Sequence, residues 1–125
     1  MLQMNRRSAL LAMGALPFYL QAARKPLPLA AIITEYHNNF HADVIVGKIL
    51  EGWKQDGGPG PNLKLAAIYV DQFTKRDMSN ALAKKHGFAI KESIEEAITL
   101  GTSKVQVAGV LSIAEHGNYH YTPKT

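Results

Sequence analysis

One stretch constrains the fold of this chain more than any other: Val105-Gln-Val-Ala-Gly-Val-Leu-Ser-Ile-Ala-Glu-His-Gly-Asn-Tyr119. From Val107 to Ala114 it is almost continuously apolar, and it then turns polar at Glu115, His116, Gly117 and Asn118. A short apolar run with β-branched residues, closed by a glycine, predicts a buried strand. A strand buried on both faces belongs in a parallel sheet with helices above and below it. Such sheets carry ligand chemistry at the carboxyl ends of their strands, where Glu115 and His116 would stand.

The rest of the chain supplies the partners for that strand. Leu29 to Thr34 reads as a first strand, followed by the polar loop Glu35 to Phe40. From His41 to Trp53, apolar residues at 42, 45, 46, 49, 50 and 53 mark one face of an amphipathic helix, with Trp53 as its last core position. Asn39 or a neighbour can cap that helix, and Asp43 suits the positive end of its dipole. The segment Lys54 to Asn62, with Gly57-Gly58-Pro59-Gly60-Pro61, can be neither helix nor strand. Leu63 to Val70 is a second strand that ends at Asp71. Asp77 to His86 is a second helix, packed through Met78 and stopped by Gly87 as a left-handed cap. Phe88 to Ile90 is a short third strand. Ser93-Ile-Glu-Glu96 forms a capping box, and Ile94, Ala97 and Ile98 give the third helix its buried stripe.

The order is thus β-α-β-α-β-α-β with short connections. Right-handed crossovers turn it into an α/β fold, the three-layer half of a doubly wound Rossmann-like domain. Its parallel sheet has the order 3-2-1-4, with helices on both faces. The expected domain runs from 29 to 120, with a Pro-bearing linker at 24–28 before it. The fourth strand would lie at an open edge, and a long apolar edge invites pairing with a second chain.

The first 23 residues stand apart. Arg6-Arg7 precede an uncharged apolar run, Ala9 to Leu20, too short to span a bilayer, which takes roughly 20 residues. Asn5-Arg6-Arg7-Ser8-Ala9-Leu10-Leu11, followed by the small residues Ala22-Ala23, resembles a twin-arginine export signal, although Ala9 stands where a bulky residue is usual. The expected destination is the bacterial periplasm or the exterior, with no membrane span once the signal is removed. The tail 121–125 reads as cut short before a second domain. The chain has no cysteine, which excludes a disulfide framework and thiolate metal sites. Its net charge of +4 includes Arg6 and Arg7, and no Lys/Arg cluster alternates with exposed aromatics, so nucleic acid is not an expected partner.

Ala81-Leu-Ala-Lys-Lys-His-Gly87, Phe88-Ala-Ile90, Ser93-Ile-Glu-Glu-Ala-Ile98 and Val107-Ala-Gly-Val-Leu-Ser-Ile113 together resemble the nucleotide-binding half of the glucose–fructose oxidoreductase/inositol dehydrogenase (Gfo/Idh/MocA) family. The likeness covers Leu29 to His120, and the export signal with Glu-His-Gly-Asn-Tyr is similar to a secreted branch of that family. It implies an NAD(P)-binding oxidoreductase domain, with substrate and a catalytic lysine held on a C-terminal domain. Two features of this chain depart from that pattern. Aligning His41-Ala42 with the start of the family's first helix puts Ile33, Glu35 and Asn38 at the three glycine positions of the phosphate loop, and Glu35 adds an anion there. The family's Glu-Lys-Pro motif and second domain are missing from the 125 residues.

Strand-end logic gathers the candidate binding residues Glu35, His37, His41, Asp71, Glu115 and His116 around one crevice, with Tyr36, Tyr119 and Tyr121 able to stack on a sugar or base. Asp71 could accept from a ribose diol, or merely cap the turn after it. His41, near a helix N-terminus, would stay neutral; packing on Phe40 is its plainer role. No residue takes an assigned catalytic role, and no His-Glu-x-x-His metal motif is present. Three readings follow: an exported oxidoreductase-like domain with a degenerate dinucleotide loop, not catalytic alone; a sugar- or polyol-binding module using the crevice; and a metal-dependent hydrolase fragment in which the same histidines and carboxylates are ligands.

Overall fold

A computed structural model describes residues 24–54 and 56–121; residues 1–23, expected to be an export signal, and the tail residues 122–125 lie outside the described residues. The elements are β1 (Leu27–Ile33), α1 (His41–Glu51), β2 (Leu63–Val70), α2 (Ser79–His86), β3 (Ala89–Lys91), α3 (Ile94–Thr99) and β4 (Gly109–Ile113). All four strands run parallel in one sheet of order β3-β2-β1-β4, as the pattern of the sequence predicts. The chain is an α/β Rossmann-like half.

Side-chain alternation along β1 sorts the layers. Ala31 and Ile33 point to the face covered by Ala42 and Val46 of α1 and Leu82 and Ala83 of α2. Ala30 and Ile32 point to the other face, covered by Ala97 and Ile98 of α3. The reason is handedness: the path from β1 to β3 steps one way and the step to β4 returns the other, so right-handed crossovers put α3 opposite α1 and α2. Fully buried Ile33, Ile68 and Val46 anchor the larger core, each worth roughly 1.5–3 kcal/mol of apolar burial.

The register slips once. Leu29 pairs with Leu65 but Ala30 pairs with Ala67, so Ala66 is an extra residue in β2. Such a bulge flips the alternation. Leu65 therefore shares the α1 face with Ile68 and Val70, while Ala67 faces α3.

Several expectations are corrected. β1 begins at Leu27, inside the expected linker; Pro28 is tolerated because β4 pairs with β1 only from Leu29 onwards. Gly52, at φ 73°, ends α1 two residues early, because a Cβ there would lie 2.7 Å from the Gly58 carbonyl oxygen of the returning loop. Trp53 consequently leaves the core stripe and is 40% exposed. α2 starts at Ser79 instead of Asp77, whose carboxylate accepts from the Ser79 N–H at 3.1 Å. Gly87 does form the left-handed cap (φ 79°), and Ser93 Oγ does accept from the Glu96 N–H at 3.1 Å. Ile94 is exposed, not buried. β4 is shorter than the apolar run and is not buried on both faces. On the α3 side only one six-residue helix is available, and it packs on β1, β2 and β3 but leaves Val110 of the edge strand 44% exposed. Among the described residues no helix is long and apolar enough to cross a membrane.

Candidate functional site

Beyond the carboxyl ends of β1, β2 and β4 the backbone ladder runs on for a few residues. Thr34 N–H donates to the Ile113 carbonyl (3.3 Å), and Gln72 N–H donates to the Thr34 carbonyl (2.8 Å). This brings three connecting segments side by side, and the segment after β4 folds across the other two.

Glu115 is the centre of that closure. Its N–H donates to Thr34 Oγ1 at 3.1 Å, which turns its side chain towards α1. There the carboxylate accepts the N–H groups of His41 and Ala42, the first residues of the helix, and lies 3.0 Å from His41 Nδ1. The N-cap residue itself is Phe40, with no side-chain oxygen to offer. The cap thus comes from a residue 74 positions away. Burial pushes the Glu115 carboxyl upwards, but the His41 ring and the helix N–H groups outweigh it and hold it below the ordinary glutamate range. Glu115 stays an anion at the helix end that attracts anions.

Glu35, expected at that helix end, is elsewhere. It is buried and its Oε2 lies 3.1 Å from Nε2 of His37, which is 2% exposed and stacks its ring against Phe40. The expected packing of a histidine on Phe40 is therefore made by His37, while the His41 side chain is 77% exposed beside Glu115.

Asp71 sits at the open end of β2 and accepts two phenols, Tyr69 at 2.8 Å and Tyr119 at 2.6 Å. The Tyr119 and Tyr69 hydrogen bonds lower the Asp71 carboxyl, and both phenols are raised in return. The hydrogen bonds of its carboxylate among the described residues are to these phenols, not to the turn that follows, where Thr74 Oγ1 accepts from the Arg76 N–H at 3.3 Å. Next to it Gln72 grips the tail backbone: its Oε1 accepts from Asn118 N–H at 2.8 Å and its Nε2 donates to the Asn118 carbonyl at 3.5 Å. Gly117 lies between these two anchors. A Cβ there would come within 2.9 Å of Thr34 Cγ2 and 2.5 Å of Tyr119 Cε2, so the tail can lie this close only as glycine. His116 and Tyr121 are exposed and make no hydrogen bond among the described residues.

The strand-end crevice is thus largely filled by the chain's own tail. What remains is a slot of about 320 Å³ on the α3 side, lined by Thr34, Tyr69, Asp71, Ile94, Ser112 and Tyr119. It offers an ionised carboxylate, two aliphatic hydroxyls and an exposed phenol ring, groups that can hold hydroxyl groups. The six candidates of the sequence do not form one cluster: Glu35–His37 and His41–Glu115 pair off, Asp71 pairs with tyrosines, and His116 stands alone. Among the described residues no three His, Asp or Glu side chains meet as a metal-holding group, so the hydrolase reading finds no ligand set there. Thr34, Tyr69, Gln72, Ser112, Gly117 and Asn118 were not legible as site residues. The only local signals were a glutamine directly after Asp71 and the Gly-Asn pair in the tail.

No family model, curated protein or solved structure matches the chain.

Proposed function

We propose that the chain is an exported, oxidoreductase-like Rossmann domain of the Gfo/Idh/MocA type that has given up its dinucleotide and serves as a binding module for a sugar or other polyol. The position of the Glu115 carboxylate carries this reading. A Rossmann domain holds pyrophosphate on the N–H groups at the start of its first helix. Here that place is taken by a side chain of the same polarity, and a bound phosphate would have to displace it against like charge. Ile33, Glu35 and Asn38 replace the glycines that would admit a phosphate to the backbone. The remaining slot suits a neutral polyol: Asp71 accepts from hydroxyl groups, Ser112 and Thr34 exchange hydrogen bonds with them, and the Tyr119 ring covers an apolar sugar face. Hydride transfer then does not occur on this chain alone.

Calorimetry on the full chain tests both halves. NAD and NADP, oxidised and reduced, should give no heat of binding at micromolar concentrations, while glucose or myo-inositol should bind wild type and lose affinity in Asp71→Ala. A micromolar dissociation constant for either dinucleotide would reject the proposal and restore the oxidoreductase reading.

A further inference from the structure

We propose that a second cleft, between α1 and the start of α2, binds a small zwitterion of the α-amino acid class, its ammonium on Tyr36 and Asp43 and its carboxylate towards Lys48. The cleft holds about 530 Å³ and shares no lining residue with the strand-end slot.

Tyr36 is the first reason. It is 1% exposed and lines the cleft, and its hydroxyl meets no hydrogen-bond partner among the described residues. A phenol is costly to bury unpaired, so the group calls for a partner. The residue is held firmly in place, because Met78 N–H donates to its carbonyl at 2.8 Å. Burial, and then the carboxylates of Asp43 and Asp77, raise the phenol far above its ordinary range, which keeps it protonated.

Of these two carboxylates, Asp43 lines the cleft and sets the sign of its floor, while Asp77 acts on the phenol from outside the lining. An anion brought to Tyr36 would be repelled by both, whereas an ammonium would be attracted. Asp43 faces the cleft with its Oδ2 bound to the Asn39 N–H at 3.0 Å, in a turn that holds Asn39 at φ 67°. An ammonium has three N–H donors, one for the Asp43 carboxylate and one for the lone pair of the Tyr36 hydroxyl. At the rim the sign reverses. Lys54 and Lys85 pair with Glu51, but Lys48 has no carboxylate partner among the described residues and lies 6.0 Å from the Trp53 ring centroid. Negative floor and positive rim orient a zwitterion in one direction.

Gly47 supplies the room. It sits one turn after Asp43 inside α1, where glycine is the poorest choice next to proline. Its backbone needs no positive φ, and an added Cβ would meet nothing within 4 Å. The fold does not require this glycine, and the open volume above it belongs to the cleft. Met78, the N-cap residue of α2, and Leu82 within that helix form the apolar wall for the ligand's side chain.

An amide-resolved NMR titration of the full chain with L-leucine decides the matter. Saturable shifts at Asn39, Asp43 and Gly47 are expected. N-acetyl-L-leucine, which lacks the ammonium, should bind at least about tenfold more weakly, and L-leucinamide should also lose affinity. Gly47→Trp, whose indole would project into the open volume of the cleft, should keep its spectrum elsewhere and lose the shifts; Tyr36→Phe should weaken them. The proposal fails if L-leucine at roughly 10 mM causes no saturable shift at the cleft, if the acetylated form binds equally, or if binding survives Gly47→Trp. Shifts confined to Asp71 and Tyr119 would also overturn it, while leaving the strand-end reading intact.

Discussion

Removing the Glu115 carboxylate should open the domain at its most unusual joint. In Glu115→Ala, α1 loses the acceptor for its first two N–H groups, and Phe40 has no oxygen to replace it. Loss of an N-cap acceptor costs about 1 kcal/mol, and loss of a negative charge at the helix N-terminus a further 0.3–1 kcal/mol or so. The exposed His41 ring adds little. A total of about 1.3–2 kcal/mol lowers Tm by roughly 5–16 °C in a domain of this size. Circular dichroism on heating, at several pH values, measures it. Because the folded pKa of Glu115 lies below its unfolded value, the stabilisation is complete above the unfolded pKa and is lost as pH falls through the folded one. Wild type and Glu115→Gln should therefore differ at neutral pH, begin to converge as pH falls below the ordinary glutamate range of about 4.3, and meet once it has passed the lowered folded pKa. Equal melting at pH 7, or a gap that persists unchanged in acid, would refute the trans-capping account.

Four further outcomes follow from the same geometry. In Asp71→Asn the raised phenols of Tyr69 and Tyr119 should fall back towards about 10, read by ultraviolet titration; an unchanged curve would remove the carboxylate as their cause. Gly117→Ala should lift the tail off Thr34 and Tyr119, so that the Asn118 amide exchanges at least about tenfold faster than in wild type. Wild type should self-associate at high concentration through the bare edge strand β4, and Val110→Lys should abolish this in light scattering; a monomeric wild type would contradict it. Changing Arg6 and Arg7 together to lysine should stop export by the twin-arginine route, and undiminished periplasmic accumulation would reject that assignment.

What the sequence determined by itself was whatever depends on neighbours a few residues apart. The switch between strand and helix periodicity gave seven elements in the right order, and crossover handedness turned that order into a sheet. Gly87 as a left-handed cap and Ser93 as an N-cap are hydrogen-bond patterns closed within four residues, so they too were readable. The misreadings have a common cause. Trp53 and Ile94 lie on apolar stripes, but a stripe says which side of a helix is greasy and not whether anything is there to cover it. The bulge at Ala66 is invisible in the pair Ala66-Ala67, since either alanine can face either way. The candidate site depended most on tertiary structure. Strand ends named segments that do lie side by side, yet which carboxylate reached the helix was decided by Thr34 holding the backbone of Glu115, while Glu35 turned inward to His37. Partners separated by 74 residues, such as His41 and Glu115, meet only after the parallel register of β1 and β4 is set, and no local pattern encodes that distance.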